Sequence, residues 1–72
     1  MTKEEFLVQM QDVLQTETEL KADTGLADLD EWDSLSIMAT MAFIDKHFGV
    51  KMKLADFRAL STVGDIAAKV GL

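Results

Sequence analysis

Residues 33–49 read DSLSIMATMAFIDKHFG, and this stretch predicts one helix with clearly marked ends. Asp33 is a strong N-cap residue, because its carboxylate can accept a hydrogen bond from a free backbone N–H group of the first turn. Gly49 readily adopts the left-handed conformation that ends a helix. We therefore expect a helix from Ser34 to Phe48, with Ser34 in its first turn.

This helix carries two apolar stripes. At roughly 100° per residue, the predicted core face comprises Ile37, Met41, Ile44 and Phe48. A second stripe, rotated well away from the first, comprises Leu35, Met38, Ala39 and Ala42. A surface helix needs only one apolar stripe. The second stripe is therefore either covered by the preceding loop or free to meet a partner.

Another helix precedes this one, over about residues 3–15. Thr2 and Glu5 have the spacing of a capping box, and apolar residues follow at helical intervals. Residues 16–33 lose this periodicity, and Leu20, Leu26 and Leu29 are scattered among acidic residues. A connection this long is usually functional or disordered in a compact domain. Because the leucines favour attachment to the core, we expect an ordered loop.

The C-terminal part predicts further helices. Residues 50–54 alternate like a strand, but no partner strand exists elsewhere, so we expect an extended linker. A short helix is predicted from Leu54 to Leu60, and Ser61 or Thr62 is placed to cap a last helix. The predicted fold class is all-α, a small irregular four-helix bundle with three main helices, a short third helix and a long first loop. We expect one domain over residues 1–72.

Composition and charge exclude several classes of function. The chain has 72 residues, a net charge of −6, one histidine and no cysteine. The acidic excess argues against nucleic-acid binding, and the lack of cysteine excludes disulfides and thiolate zinc sites. No apolar run approaches the ~20 residues that cross a bilayer, and we expect a cytoplasmic monomer. Residues 1–33 carry −8 and residues 34–72 carry +2. This asymmetry suits steering toward basic protein surfaces, with solubility alone as the alternative.

The residues do not predict a catalytic or a metal site. On one helix, Ser34 and His47 would lie roughly 20 Å apart, too far for a nucleophile and its base. Asp28, Asp30 and Asp33 invite comparison with a calcium loop, but three defining positions fail. Trp32 would stand at the fifth position, Asp33 at the required glycine and Ala39 at the terminal acid. Ser34 does lie where free N–H groups and the helix dipole favour anions. It therefore suits a phosphate-linked group, with a plain structural role at the helix start as the alternative.

Three segments together resemble acyl carrier proteins. They are EWDSLS at 31–36, the helix that ends at Phe48 and Gly49, and LSTVGD at 60–65. The resemblance covers essentially the whole chain. It implies that a phosphopantetheinyl transferase moves 4′-phosphopantetheine from coenzyme A onto Ser34. The terminal thiol of that arm would carry acyl groups as thioesters between enzymes such as acyl ligases and synthases, so the chain itself would not be an enzyme.

The resemblance also implies roles for residues around Ser34. Asp33 matches the acid before the modified serine, which caps the helix and assists modification, and Leu35 matches the apolar contact that follows. The face presented to partner enzymes would comprise Leu35, Met38, Ala39, Ala42 and Asp45. The cargo would belong to a fatty-acid, polyketide or other specialised pathway.

Departures from the family pattern favour a specialised carrier. The second helix of the well-known fatty-acid carriers is rich in glutamate, whereas Ala39, Lys46 and His47 stand where acids are usual, and Lys51 and Lys53 follow. We therefore expect a dedicated pathway rather than housekeeping fatty-acid enzymes. Two alternatives stay open at this point: an aminoacyl or peptidyl carrier, and an unmodified helical interaction module that keeps the fold.

Overall fold

The computed structural model describes all of residues 1–72 and contains four α-helices and no strand. They are α1 (Lys3–Leu14), α2 (Ser34–Phe48), α3 (Leu54–Arg58) and α4 (Val63–Lys69), with a 3₁₀ turn at Leu26–Asp28. This architecture confirms the predicted all-α bundle with its long first loop. The short third helix ends two residues earlier than expected, at Arg58 instead of Leu60.

Local capping explains where the three longer helices begin. Thr2 and Glu5 exchange reciprocal hydrogen bonds at the start of α1, with donor–acceptor distances of 2.8 and 3.1 Å. Asp33 caps α2, and the Thr62 hydroxyl accepts a hydrogen bond from the Asp65 backbone N–H at the start of α4. At the other end of α2, Gly49 has the left-handed conformation, with φ of 67°. The predicted caps at Thr2, Asp33, Gly49 and Thr62 are therefore confirmed.

The core lies between α1, α2 and α4. The rings of Phe6, Phe43 and Phe48 join α1 to α2, with centroids 6.0 to 6.3 Å apart. Edge and tilted arrangements at such separations are favourable for aromatic rings. From α4, Val63, Ile66 and Ala67 are fully buried against this cluster.

The predicted core face of α2 was wrong in part. Thr40, Phe43 and Ile44 are its buried residues, whereas Ile37, Met41 and Phe48 are half-buried and pack against the core. A threonine was not expected in the core. Its hydroxyl donates to the carbonyl oxygen of Ser36 at 2.9 Å, so burial leaves no polar group unsatisfied.

The long first loop is ordered, as predicted. Leu20, Leu26 and Leu29 are all buried in the core. Three backbone hydrogen bonds tie the loop to the start of α4: Leu26 N–H to Ser61 O, Val63 N–H to Thr24 O and Gly64 N–H to Ala22 O, at 2.8 to 3.0 Å. The loop is thus held at both its apolar side chains and its backbone.

Residues 50–53 connect α2 to α3 without forming a helix or a strand; Lys53 is extended and Met52 is buried. None of the four helices combines the length and apolar character that a membrane-spanning helix requires.

Candidate functional site

Ser34 is the first residue of α2, and its side chain is exposed. The neighbouring residues Asp33 and Ser36 form the N-terminal cap of α2. The Asp33 carboxylate accepts from the Ser36 backbone N–H at 2.9 Å, and the Ser36 hydroxyl accepts from the Asp33 N–H at 2.9 Å. The Ser36 hydroxyl also donates to the Asp33 carbonyl oxygen at 3.0 Å. The Ser34 hydroxyl makes no hydrogen bond within the chain, so it is available for covalent modification.

The start of α2 can also accept a negative group. In an α-helix the first N–H groups have no partner within the helix. The Asp33 carboxylate accepts from the N–H of Ser36, and the N–H groups of Ser34 and Leu35 make no hydrogen bond within the chain. A phosphodiester on the Ser34 oxygen would lie beside these donors and at the positive end of the helix dipole. The local geometry therefore fits a phosphate-linked prosthetic group.

The second apolar stripe of α2 is a free surface. Leu35 is 77% exposed and Met38 is 64% exposed, and Ala39 and Ala42 are exposed beside them. We call these four residues the docking face. The first loop does not cover it, so the alternative that the loop buries this stripe is wrong.

Asp45 lies at the end of α2 farthest from Ser34. Its carboxylate pairs with the Lys51 ammonium at 3.7 Å, and both side chains are largely exposed. Lys46, His47 and Lys53 are also exposed in this region. The far end of α2 is therefore mixed in charge with a cationic excess, in contrast to the acidic first loop.

An open groove of about 400 Å³ lies between the end of α1 and the start of α2. We call it the α1–α2 groove. It is lined by Val13, Leu14, Gln15, Glu31, Asp33, Leu35, Ser36 and Ala39. The sequence did not predict this groove, because its residues come from segments that are far apart along the chain.

Ser36 and Trp32 also shape the surroundings of Ser34. The position of Trp32 before the cap suggested a staple against Ile37. Ser36, three residues after the cap, completes the reciprocal hydrogen bonds, and that spacing was the available signal. The half-buried Trp32 packs on Phe57 of α3, with ring centroids 6.0 Å apart. This contact fixes the end of the first loop against α3 just before α2 begins.

Ser34 and His47 both lie on α2, thirteen residues apart, as predicted. That separation is roughly 20 Å along a helix. The exposed His47 ring packs near Phe43, with centroids 4.7 Å apart. No group of three or more acidic or histidine side chains is arranged to hold a metal ion.

Comparisons with known proteins identify the family of this chain. The family model described as phosphopantetheine attachment site matches residues 4–70. A solution NMR structure of a holo acyl carrier protein from Geobacter metallireducens is similar to this chain, with a TM-score of 0.72 and 30% sequence identity. The similarity covers 92% of this chain and 77% of that one. The comparison with curated proteins gave no match. With a family match over nearly its whole length, the chain belongs to the acyl carrier protein family, whose prosthetic group is phosphopantetheine.

Proposed function

We propose that this protein carries acyl intermediates on a 4′-phosphopantetheine arm attached to Ser34. The observation that carries the proposal is the exposed Ser34 hydroxyl, which is free of internal hydrogen bonds because Asp33 and Ser36 cap the helix instead. The family match supplies the chemical class of the group. In this role one domain over residues 1–72 acts as a monomeric substrate of enzymes, not as a catalyst.

Attachment is a phosphoryl transfer from coenzyme A to the serine. The Ser34 oxygen forms a new P–O bond to the pantetheine phosphate, the pyrophosphate linkage of coenzyme A breaks, and adenosine 3′,5′-bisphosphate leaves while the hydroxyl proton is released. The bound group then supplies the thiol that a chain without cysteine lacks.

Asp33 is suited to two roles in this reaction. One oxygen of its carboxylate accepts the N-cap hydrogen bond, and the other makes no hydrogen bond in the chain. The second oxygen is free to meet a cationic group or the metal ion of a phosphopantetheinyl transferase. Asp33 thus orders the first turn and presents charge next to the reacting hydroxyl.

The docking face is suited to partner enzymes that must reach the arm. Leu35 and Met38 project from the first turns of α2 near Ser34. Exposed apolar side chains with a charged rim are typical of interfaces that form and separate repeatedly. We propose that the phosphopantetheinyl transferase and acyl ligase or synthase enzymes contact this face, with Asp45 at its rim.

The pathway is proposed to be a specialised one, within fatty-acid, polyketide or related biosynthesis. The cationic residues at the end of α2 and in the following linker support this proposal, because they would repel the basic surfaces that read glutamate-rich carriers. An aminoacyl or peptidyl cargo is the alternative for the same attached arm.

Intact-protein mass tests the attachment. The protein is incubated with coenzyme A, magnesium and a promiscuous phosphopantetheinyl transferase, and we expect a gain of one phosphopantetheinyl unit. Ser34→Ala removes this gain, whereas Ser61→Ala, a matched change at another exposed serine, retains it.

A second candidate function follows from the exposed docking face: an unmodified interaction module. It predicts no mass gain on a folded protein, including after incubation with extract of the native host. It also predicts that Ser34→Ala keeps every activity. Either result would contradict the carrier proposal.

A further inference from the structure

Lys46 extends the docking face by one turn of α2. Ala42 and Lys46 are four residues apart, and residues with this spacing lie on the same side of a helix. The Lys46 side chain is exposed and forms no ion pair. The side of α2 that begins at Ser34 with apolar residues therefore ends on a lysine, about 18 Å along the helix axis.

Asp45, the acidic residue beside Lys46, is already paired with another cation. Its carboxylate lies 3.7 Å from the Lys51 ammonium, in the one ion pair of the chain. Both partners are exposed, the Lys51 side chain at 86% and the Asp45 side chain at 50%. Because this pair is neutral as a unit, the Lys46 ammonium leaves a net positive charge. We call Asp45, Lys46 and Lys51 the cationic end of the docking face.

The opposite end of the docking face is acidic. Asp30, Glu31 and Asp33 stand directly before Ser34 with no basic residue among them, and none of the three forms an ion pair. Over the whole chain, residues 45–58 carry +2 and the remaining residues carry −8. The docking face therefore joins two ends of opposite charge, and a partner that covers it meets both.

The dipole of α2 accounts for only part of this pattern. A cation in the last turn of a helix is favoured by the negative end of the dipole, and Lys46 and His47 both lie there. Lys51 lies beyond the helix, where the dipole no longer favours a cation. Lys53 and Arg58, at the two ends of α3, are also exposed and form no ion pair. Charges that no contact within the chain uses are available to a partner.

We infer that the cationic end of the docking face binds an acidic surface on the phosphopantetheinyl transferase of the native host. The inference rests on the proposed attachment at Ser34, which requires this enzyme to cover the start of α2. Complementary charges steer a partner and fix its register. The transferase therefore carries basic residues near its reacting centre, opposite Asp33, and acidic residues about 18 Å away, opposite Lys46. This arrangement sets the direction of α2 across the enzyme and disfavours enzymes that are basic along the whole contact.

Loading rates of charge variants at Lys46 test this inference. The unmodified protein is incubated with coenzyme A, magnesium and extract of the native host, and the initial rate of mass gain is measured. Lys46→Glu should load more slowly than the parent by about tenfold or more, because like charges across an interface are strongly unfavourable. Lys46→Arg keeps the charge and should load at the parent rate.

Two controls separate the contact from net charge and from folding. Lys69→Glu makes the same charge change at an exposed lysine at the end of α4 and should load at the parent rate. A promiscuous phosphopantetheinyl transferase should load every variant to completion, which shows that each one is folded with Ser34 accessible. Added salt should slow loading of the parent by the extract and speed loading of Lys46→Glu, because salt screens attraction in one case and repulsion in the other.

Several results would overturn the inference while leaving the attachment intact. They are loading of Lys46→Glu by the extract at the parent rate, equal slowing of Lys69→Glu or Lys46→Arg, and loading of the parent by the promiscuous enzyme but not by the extract. If neither enzyme source loads Ser34, the attachment and the inference fall together.

Discussion

Asp33 combines an observed structural role with a proposed chemical one. It ends the first loop, caps α2 through the Ser36 N–H, and lies beside the hydroxyl proposed to carry the arm. Because capping uses one carboxylate oxygen, the two roles are separable by changing the charge while keeping the acceptor.

Asp33→Ala should lower the free energy of unfolding by about 0.5–2 kcal/mol, since the α2 cap is lost. Asp33→Asn keeps an oxygen acceptor and should retain most of that stability. It should nevertheless gain phosphopantetheine on Ser34 more slowly, because the negative charge of the carboxylate is gone. Urea unfolding and the initial rate of mass gain measure the two effects. Normal loading of a folded Asp33→Asn protein would remove the chemical role and leave the cap.

Asp65 gives the stability a dependence on pH. Hydrogen bonds from the backbone N–H groups of Ser61 and Thr62 hold the pKa of the Asp65 carboxyl below its usual range. The pKa of Glu5 is lowered in the same way by the Thr2 backbone N–H. The folded protein therefore binds fewer protons than the unfolded chain, and its stability falls as pH falls.

This contribution should be complete above about pH 5 and lost as the pH drops through the lowered pKa values, below about 4. Asp65→Asn should therefore be less stable than the parent at neutral pH and lose less on acidification. Urea midpoints at about pH 6 and about pH 3 measure this difference. Asp30→Asn, at a carboxylate without hydrogen bonds, is the control. Equal acid sensitivity of Asp65→Asn and the parent would contradict the role of this cap.

At the scale of the element, α2 divides its apolar residues between two tasks. Thr40, Phe43 and Ile44 pack into the bundle, while the docking face points to solvent. The helix thereby leaves Ser34 and apolar side chains exposed to solvent without giving up core contacts. Its C-terminal turn ends at Gly49, whose N–H donates to the Asp45 carbonyl oxygen at 3.0 Å.

A buried methionine and an exposed one allow core packing to be compared with the exposed face of α2. Met10 of α1 is fully buried, and Met10→Ala should cost about 2–5 kcal/mol of unfolding free energy. Met38→Ala on the docking face should change stability by less than about 0.5 kcal/mol. It should instead raise the KM of the phosphopantetheinyl transferase for this carrier. Thermal unfolding and loading kinetics are the measurements, and an unchanged KM would show that Met38 does not contact this enzyme.

At the scale of the whole molecule, the bundle depends on the contact between the first loop and α4. Leu20, Leu26 and Leu29 are buried, and backbone hydrogen bonds join residues 22–26 to residues 61–64. At Gly64 the backbone of α4 lies very close to the first loop. A Cβ atom at this position would lie 2.6 Å from the Ala22 carbonyl oxygen. This contact holds the loop that leads to Ser34.

Gly64→Ala should therefore destabilise the protein by about 1–3 kcal/mol, because backbone atoms must move to admit the methyl group. A loss of stability here would be informative, because replacing glycine by alanine normally stabilises a helix by about 1 kcal/mol. Gly49→Ala is a useful comparison, because a Cβ atom there meets open space and only the positive φ opposes it. Hydrogen exchange should show faster opening at the Val63 amide in Gly64→Ala but not in Gly49→Ala. A more stable Gly64→Ala protein would contradict the close approach.

Residue patterns were sufficient for the helices, their caps and the position of Ser34. The Thr2–Glu5 pair, Asp33, Gly49 and Thr62 act on backbone groups within a few residues, so their effects are readable along the chain. The family resemblance added the prosthetic group, which the comparisons support. The attachment to Ser34 and the roles of Asp33 and Leu35 remain predictions.

Tertiary structure decided which faces meet and which stay open. Whether the first loop would cover the docking face depended on where three leucines and the start of α4 hold that loop. The burial of Thr40 and the groove between Val13 and Ala39 depend on how α1 packs on α2. Such features arise from contacts between residues distant in sequence, and no local pattern specifies their geometry.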